Sequence, residues 1–198
     1  PSSYGRVAEL RGREGTQRVA NFFKVFPNVE VASLVPVVHK GQEVGDLDVV
    51  AVDLATRRGA VIEVKWPAPP DSVAEVAKTE REIRKGQKQL ESLRRLIFGG
   101  EGEVDLPRNW PEMQEIEWTW LVVCKGHLAA EKSQVENDIA ALSWEVLWSL
   151  PSTNLGQTLA SIQGRGFLPT EGRDFRRSWQ GYKVGGYRVK VETMESLS

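Results

Sequence analysis

The chain has 198 residues, 40% apolar and 27% charged, an ordinary globular composition with room for one sizeable core but hardly for two. Its 26 basic and 27 acidic residues balance, which excludes a polycationic protein; a single cysteine, Cys124, excludes a disulfide framework and a Cys-rich zinc site. His39 and His127 are the only histidines, too few for a multi-histidine metal cage. No apolar run approaches the roughly 20 residues of a membrane span and the N-terminus has no signal-peptide core, so a cytoplasmic protein with no membrane partner is expected. Pro1 is not an initiator methionine, which predicts a processed chain or a domain of a longer protein.

In chain order, Val19, Phe22, Phe23 and Phe26 place an apolar stripe on a helix from about Tyr4 to Phe26 that Pro27-Asn28 ends. Gly12 and Gly15 weaken its first half unless it lies close against a sheet. Val29 to Val38 reads as a strand in which Pro36 makes the last part an edge or a bend. Asp46 to Leu54 and Ala60 to Trp66 read as a hairpin joined by the polar turn Ala55 to Gly59. The second of these strands is apolar on both faces and should be covered on both. After Pro67 to Pro70, a long helix from Ser72 to Ile97 carries Val76, Ile83, Leu90 and Ile97 every seven residues, with Gln87 on the same inward face. Gly99 to Glu115 reads as an excursion loop, Glu117 to Cys124 as a strand and Glu131 to Leu150 as a helix on the stripe Val135, Ile139, Leu142 and Val146. A Gly-rich, aromatic tail follows, with a strand from Tyr187 to Val191. The order α-β-β-β-α-β-α predicts an α/β fold, one mixed sheet flanked by helices, as a domain over residues 1–150 with a C-terminal extension, 151–198, packed on it.

Charge is segregated along this order. Lys78 to Arg95 holds seven basic and three acidic residues, and Arg165 to Lys190 holds seven basic residues against Glu171 and Asp174. Glu101 to Trp118 reverses the sign, six acids against Arg108. A neutral chain arranged like this presents a basic face or merely a solvated surface. The tail interleaves Arg173, Phe175, Arg176, Arg177, Trp179, Tyr182 and Lys183, a pattern for contacting phosphates and stacking bases or for an extended surface segment.

The hairpin carries the chemistry. Glu63 and Lys65 alternate onto one strand face about 7 Å apart, and an antiparallel partner brings Asp48 within reach of Glu63. Burying two carboxylates and an ammonium costs several kcal/mol per ion, so a compensating group is expected. Two hard oxygens suit Mg²⁺, with Mn²⁺ substituting, and Lys65 beside them suits a water or a phosphoryl transition state. The plain alternative is a structural Glu–Lys ion pair. Asp46 shares Asp48's strand face and competes with it as a ligand. Gln87 is either a buried amide bonded to backbone or a member of the site. Trp118 and Trp120 read as core, Cys124 as an inert buried thiol and His127 as a surface histidine.

Gly45-Asp46-Leu47-Asp48 followed after fourteen residues by Glu63-Val64-Lys65 resembles the PD-(D/E)xK, or restriction-endonuclease-like, nuclease superfamily. The wording is especially similar to its nuclease-related (NERD) and Mrr-like branches and to Holliday-junction resolvases, over about three fifths of the chain. The resemblance implies an α-β-β-β-α-β core, Asp48 and Glu63 as metal ligands assisted by the Val64 carbonyl, Lys65 as catalytic, and Gln87 as a helix glutamine found in some branches. It implies a Mg²⁺-dependent nuclease acting on DNA, in endo or exo mode, within a larger DNA-processing protein or as a homodimer where both strands are cut. Gly45 stands where the motif's proline would, and Thr16 stands where many members carry a first-helix acid, leaving Glu9 or Glu14 for that part. A catalytically inactive nuclease-fold module for DNA binding or protein docking is the alternative.

Overall fold

A computed structural model describes residues 3–68, 72–126, 135–136, 139–150, 153–164, 175–184 and 186–196. Two compact units result, Pro1–Gly164 and Arg165–Ser198. In the first, helix α1 (Ser3–Lys24) leads into β1 (Val29–His39), β2 (Gln42–Asp53) and β3 (Arg58–Lys65), then α2 (Val73–Phe98). The short β4 (Gly102–Val104), β5 (Glu117–Cys124), β6 (Val135–Glu136) and β7 (Ile139–Ser143) follow, then α3 (Trp144–Ser149) and α4 (Leu155–Gln163). Among the described residues the strands form one mixed sheet in the order β4-β1-β2-β3-β5-β7-β6. β1, β2 and β3 are antiparallel neighbours, whereas β3, β5 and β7 run parallel.

Two apolar layers cover this sheet. Ile83, Leu90, Leu93 and Ile97 of α2 pack with Val50, Val52, Val61, Trp120 and Val122. The alternate residues Val49, Ala51, Ile62, Leu121 and Val123 are just as buried, so the opposite face is covered too; Val19, Phe22 and Phe23 of α1 are buried outside the α2 cluster and lie on that side. Ser72 caps α2 by accepting from the Glu75 amide. Gly15 is required inside α1 because a Cβ there would meet the Trp66 ring at 2.7 Å. Leu34, at φ 54°, bends β1 just before Pro36, whose carbonyl accepts the Asp105 amide at 3.4 Å where the short pairing of β4 with Val37–His39 ends.

Three expectations are corrected. Glu131 to Leu150 is not a helix: β6, β7 and the short α3 occupy its described part. Ile139, Ala141 and Leu142 form a strand parallel to β5 and buried on both faces, and an apolar run of that kind also matches a helical template. Gly99 to Glu115 is not a plain loop, because β4 pairs with β1 and Trp110 and Met113 enter the core. Trp110 is anchored by donating to Glu30 at 2.6 Å. The chain after residue 150 begins with a helix of the first unit: Leu155, Thr158, Leu159 and Ile162 are buried and Asn154 caps it, so the expected boundary precedes α4 while the compact unit ends at Gly164.

The second unit is described by itself. β8 (Phe175–Val184) and β9 (Tyr187–Ser196) make an antiparallel hairpin, longer than the single strand expected. His127 and Arg173 lie outside the described residues. No described helix is long and apolar enough to cross a membrane. Leu90 is fully buried between α2 and the sheet, so Leu90→Ala should cost about 2–5 kcal/mol in urea unfolding, whereas Leu10→Ala on the exposed face of α1 should stay within about 0.5 kcal/mol.

Candidate active site

The β2–β3 ladder ends at the pair Val49↔Ile62, and one step further Asp48 faces Glu63. Past that point the strands no longer pair. Asp48 Oδ2 accepts the Val64 amide at 2.7 Å, replacing the next ladder carbonyl of β2. In an antiparallel strand a residue's N–H and C=O point to the same side, so the Val64 carbonyl opens onto the same gap as Asp48. Asp48 and Glu63 alternate with Val49 and Ile62, so both carboxylates stand on the α2 face. The sheet therefore brings together Asp48, Glu63 and Lys65, with Val64 at the same gap.

Glu63 lies under α2 and is 3% exposed. A Cβ on Gly86 would come within 3.0 Å of Lys65 Cε and 3.2 Å of Glu63 Cγ, so glycine in mid-helix lets α2 close over the pair, at a helix cost of about 1 kcal/mol relative to alanine. Lys65 Nζ donates to Glu63 Oε1 at 2.6 Å, and its side chain is 20% exposed. Among the described residues, Glu63 Oε2 is buried without a hydrogen-bond partner. Asp46 and Asp48 are half-buried, so the cluster is open on the β2 side.

Burial dominates the electrostatics. It pushes the Glu63 carboxyl up to about 7, reinforced by the charge of Asp48 and opposed by the charge and hydrogen bond of Lys65. Asp48 is raised for the same first reason, with the Val64 amide pulling it down, Asp46 pushing it up and Lys65 pulling it down. The Cys124 thiol, whose residue pairs with Lys65 in β5, is pushed up to about 12 by burial and then by Glu145, and is inert at neutral pH.

Other expected members are placed elsewhere. Gln87, 1% exposed, donates its Nε2 to the Ile139 carbonyl at 2.9 Å and ties α2 to β7; its Oε1 has no partner among the described residues. It shares no hydrogen bond with Asp48, Glu63 or Lys65 among the described residues. Glu9 and Glu14 form exposed ion pairs with Arg13 and Arg18 one helical turn along α1, and Thr16 is buried. Trp120 is core as expected, while half-buried Trp118 donates to the Met113 carbonyl. Outside the expected set, Trp66 directly follows Lys65 and stacks edge-on against Trp144, with Lys125 Nζ 5.6 Å above its ring.

Among the described residues no group of three or more His, Cys, Asp or Glu side chains is arranged to hold a metal ion. The oxygens on hand are two carboxylates and the Val64 carbonyl, hard donors of the class Mg²⁺ and Mn²⁺ take, and the unpartnered Glu63 Oε2 is the atom a cation would satisfy. A divalent ion fits here only by keeping several waters. The chain matches no family model, no curated protein and no solved structure.

Between the unfolded value of 4.5 and about 7, folded Glu63 binds protons that the unfolded chain releases, so its contribution to stability is lost as pH rises through that window. Glu63→Gln should therefore be more stable than the parent at pH 8, by up to about 3 kcal/mol, with the gain shrinking towards pH 4. Urea midpoints at the two pH values measure it, and an equal shift at both would refute the buried-carboxylate origin.

Proposed function

We propose that this chain is a metal-dependent nuclease of restriction-endonuclease-like fold that hydrolyses DNA phosphodiester bonds. The observation that carries the reading is a carboxylate buried with one unpartnered oxygen, Glu63, facing a second acid, Asp48, where two strands separate, with Lys65 on the same face. The order α1-β1-β2-β3-α2-β5, with β5 parallel to β3, supports the fold part of it.

Asp48, Glu63 and the Val64 carbonyl would hold the Mg²⁺ or Mn²⁺. Such an ion, when bound, polarises a phosphoryl oxygen and lowers the pKa of a coordinated water. The chain's own residues do the rest. Asp48 is held in place by the Val64 amide, so one of its oxygens is oriented before any ligand arrives. Lys65, partly exposed on a flexible stem, swings from Glu63 Oε1 to hold the attacking water or to balance charge on the phosphoryl group. Lys78, Arg81, Lys85 and Lys88 are exposed at helical spacing along α2, the helix whose Gly86 abuts the pair, and form a ridge for the phosphate backbone.

The 2.6 Å Lys65–Glu63 pair, which neutralises the acid without a metal, and the surface pairing of Glu9 and Glu14 favour a second reading, an inactive module of the same fold that binds DNA or docks a protein. Supercoiled, branched and single-stranded DNA incubated with Mg²⁺ or Mn²⁺, beside an EDTA control, separates the two. The nuclease reading expects metal-dependent cleavage that Asp48→Ala abolishes and that Lys65→Ala slows by about 100-fold or more. DNA retention without cleavage in either metal supports the module, and a Lys65→Ala protein that cuts at the parental rate removes Lys65 from the chemistry.

A further inference from the structure

The hairpin register sorts side chains that the linear order mixes. Directly opposed residues share a face, so Lys183↔Arg188, Gly181↔Lys190 and Trp179↔Glu192 line one side of the ribbon. Ser178↔Thr193, Gln180↔Val191 and Tyr182↔Val189 line the other. That second side satisfies itself: the Ser178 and Thr193 hydroxyls are 2.7 Å apart, Tyr182 donates to Gln180, and Arg176 is opposed by Glu195.

The first side holds more cations than acids. Lys183 and Arg188 are like charges directly opposed, an arrangement that weakens a ladder, and Lys190 follows one pleat further on. All three are exposed, and among the described side chains none of them is in an ion pair. Trp179, 65% exposed, comes next along the same face, and a Cβ on Gly181 between them would touch nothing within 4 Å. Three cations stand against one acid position on that side, Glu192, so the face is net positive beside an exposed indole. The ligand must be a polyanion with a flat apolar group beside its charges. Arg188 and Lys190 are one pleat repeat of about 7 Å apart, close to the separation of successive phosphates in an extended strand, and Lys183 stands across the ribbon from Arg188.

We propose that this face binds single-stranded DNA, with Lys183, Arg188 and Lys190 taking successive phosphates and Trp179 stacking on an unpaired base. The choice of DNA among polyanions rests on the nuclease reading above; the cation row and the indole do not.

The test is fluorescence anisotropy of the full chain with a labelled oligonucleotide of about 20 nucleotides, more than the ~4–16 that one binding fold covers, in EDTA so that no cleavage occurs. Lys183→Gln/Arg188→Gln/Lys190→Gln should reduce the slope of log affinity against log salt by about 2, at roughly 0.7 per phosphate contact on a single strand. Trp179→Ala should weaken binding about fivefold or more with the slope unchanged. Lys24→Gln/Lys40→Gln/Arg108→Gln, an equal charge change on exposed residues elsewhere, should leave the slope as it is. Parental affinity and slope in the hairpin triple variant would overturn the proposal, as would an equal fall in the control triple, tighter binding of the matching duplex, or binding to anionic phosphatidylserine vesicles with none to DNA. Cleavage is read separately in Mg²⁺. Binding without cleavage leaves the ribbon standing and removes the nuclease, and cleavage with unaltered binding in the hairpin variant does the reverse.

Discussion

The organising constraint of the first unit is the burial of Glu63. A carboxylate under a helix is among the costliest groups to enclose, and among the described residues only one of its oxygens has a partner, the Lys65 amine. Its raised pKa is the direct expression of that cost. The surroundings are shaped to permit it. Gly86 removes the side chain that would collide with Glu63 and Lys65, and the β2–β3 ladder stops one residue before Asp48, so a strand edge opens beside the acid.

That opening follows from a local exchange of hydrogen bonds. The Val64 amide is satisfied by a side chain rather than by the next backbone carbonyl, which keeps a buried donor paired while the strands diverge. Because N–H and C=O leave a strand on the same side, the exchange that fixes Asp48 also leaves the Val64 carbonyl facing the gap. A cluster of two acids, a peptide oxygen and an amine is thus a property of strand geometry. The price is local instability, the usual relation between a prepared site and the fold that bears it.

The two faces of the sheet divide the work. The face under α2 carries charge at one end of an otherwise apolar layer, while the other packs α1 and Trp66, with Gly15 allowing close approach. Gln87 belongs to this division. Its amide reaches the β7 carbonyl and sets α2 across the parallel strands, so it holds the helix over Glu63 with no hydrogen bond to the cluster among the described residues. The hairpin of the second unit follows a different logic: charge is sorted by register, and its first side holds more cations than acids.

Much of this was legible in the linear chain. Alternation in Asp46–Leu54 and Ala60–Trp66, the short polar turn between them and the seven-residue repeat of α2 specify a hairpin and a long helix by local periodicity, and strand alternation places Asp48, Glu63 and Lys65 on one face. The pairing of Lys65 with Glu63, the lone oxygen beside it and the anchoring of Asp48 on Val64 depend on how far the ladder runs, which local pattern does not encode. The same limit explains the misread segments. Ile139–Ser143 is a strand because β5 needs a parallel neighbour, Trp110 is core because Glu30 lies beside it, and α4 is ordered by burial against the sheet. By itself the sequence determined which side chains share a face, because backbone geometry repeats every two or 3.6 residues. Tertiary structure alone decided which faces meet and which charges go unpaired, because those depend on contacts between residues far apart in the chain.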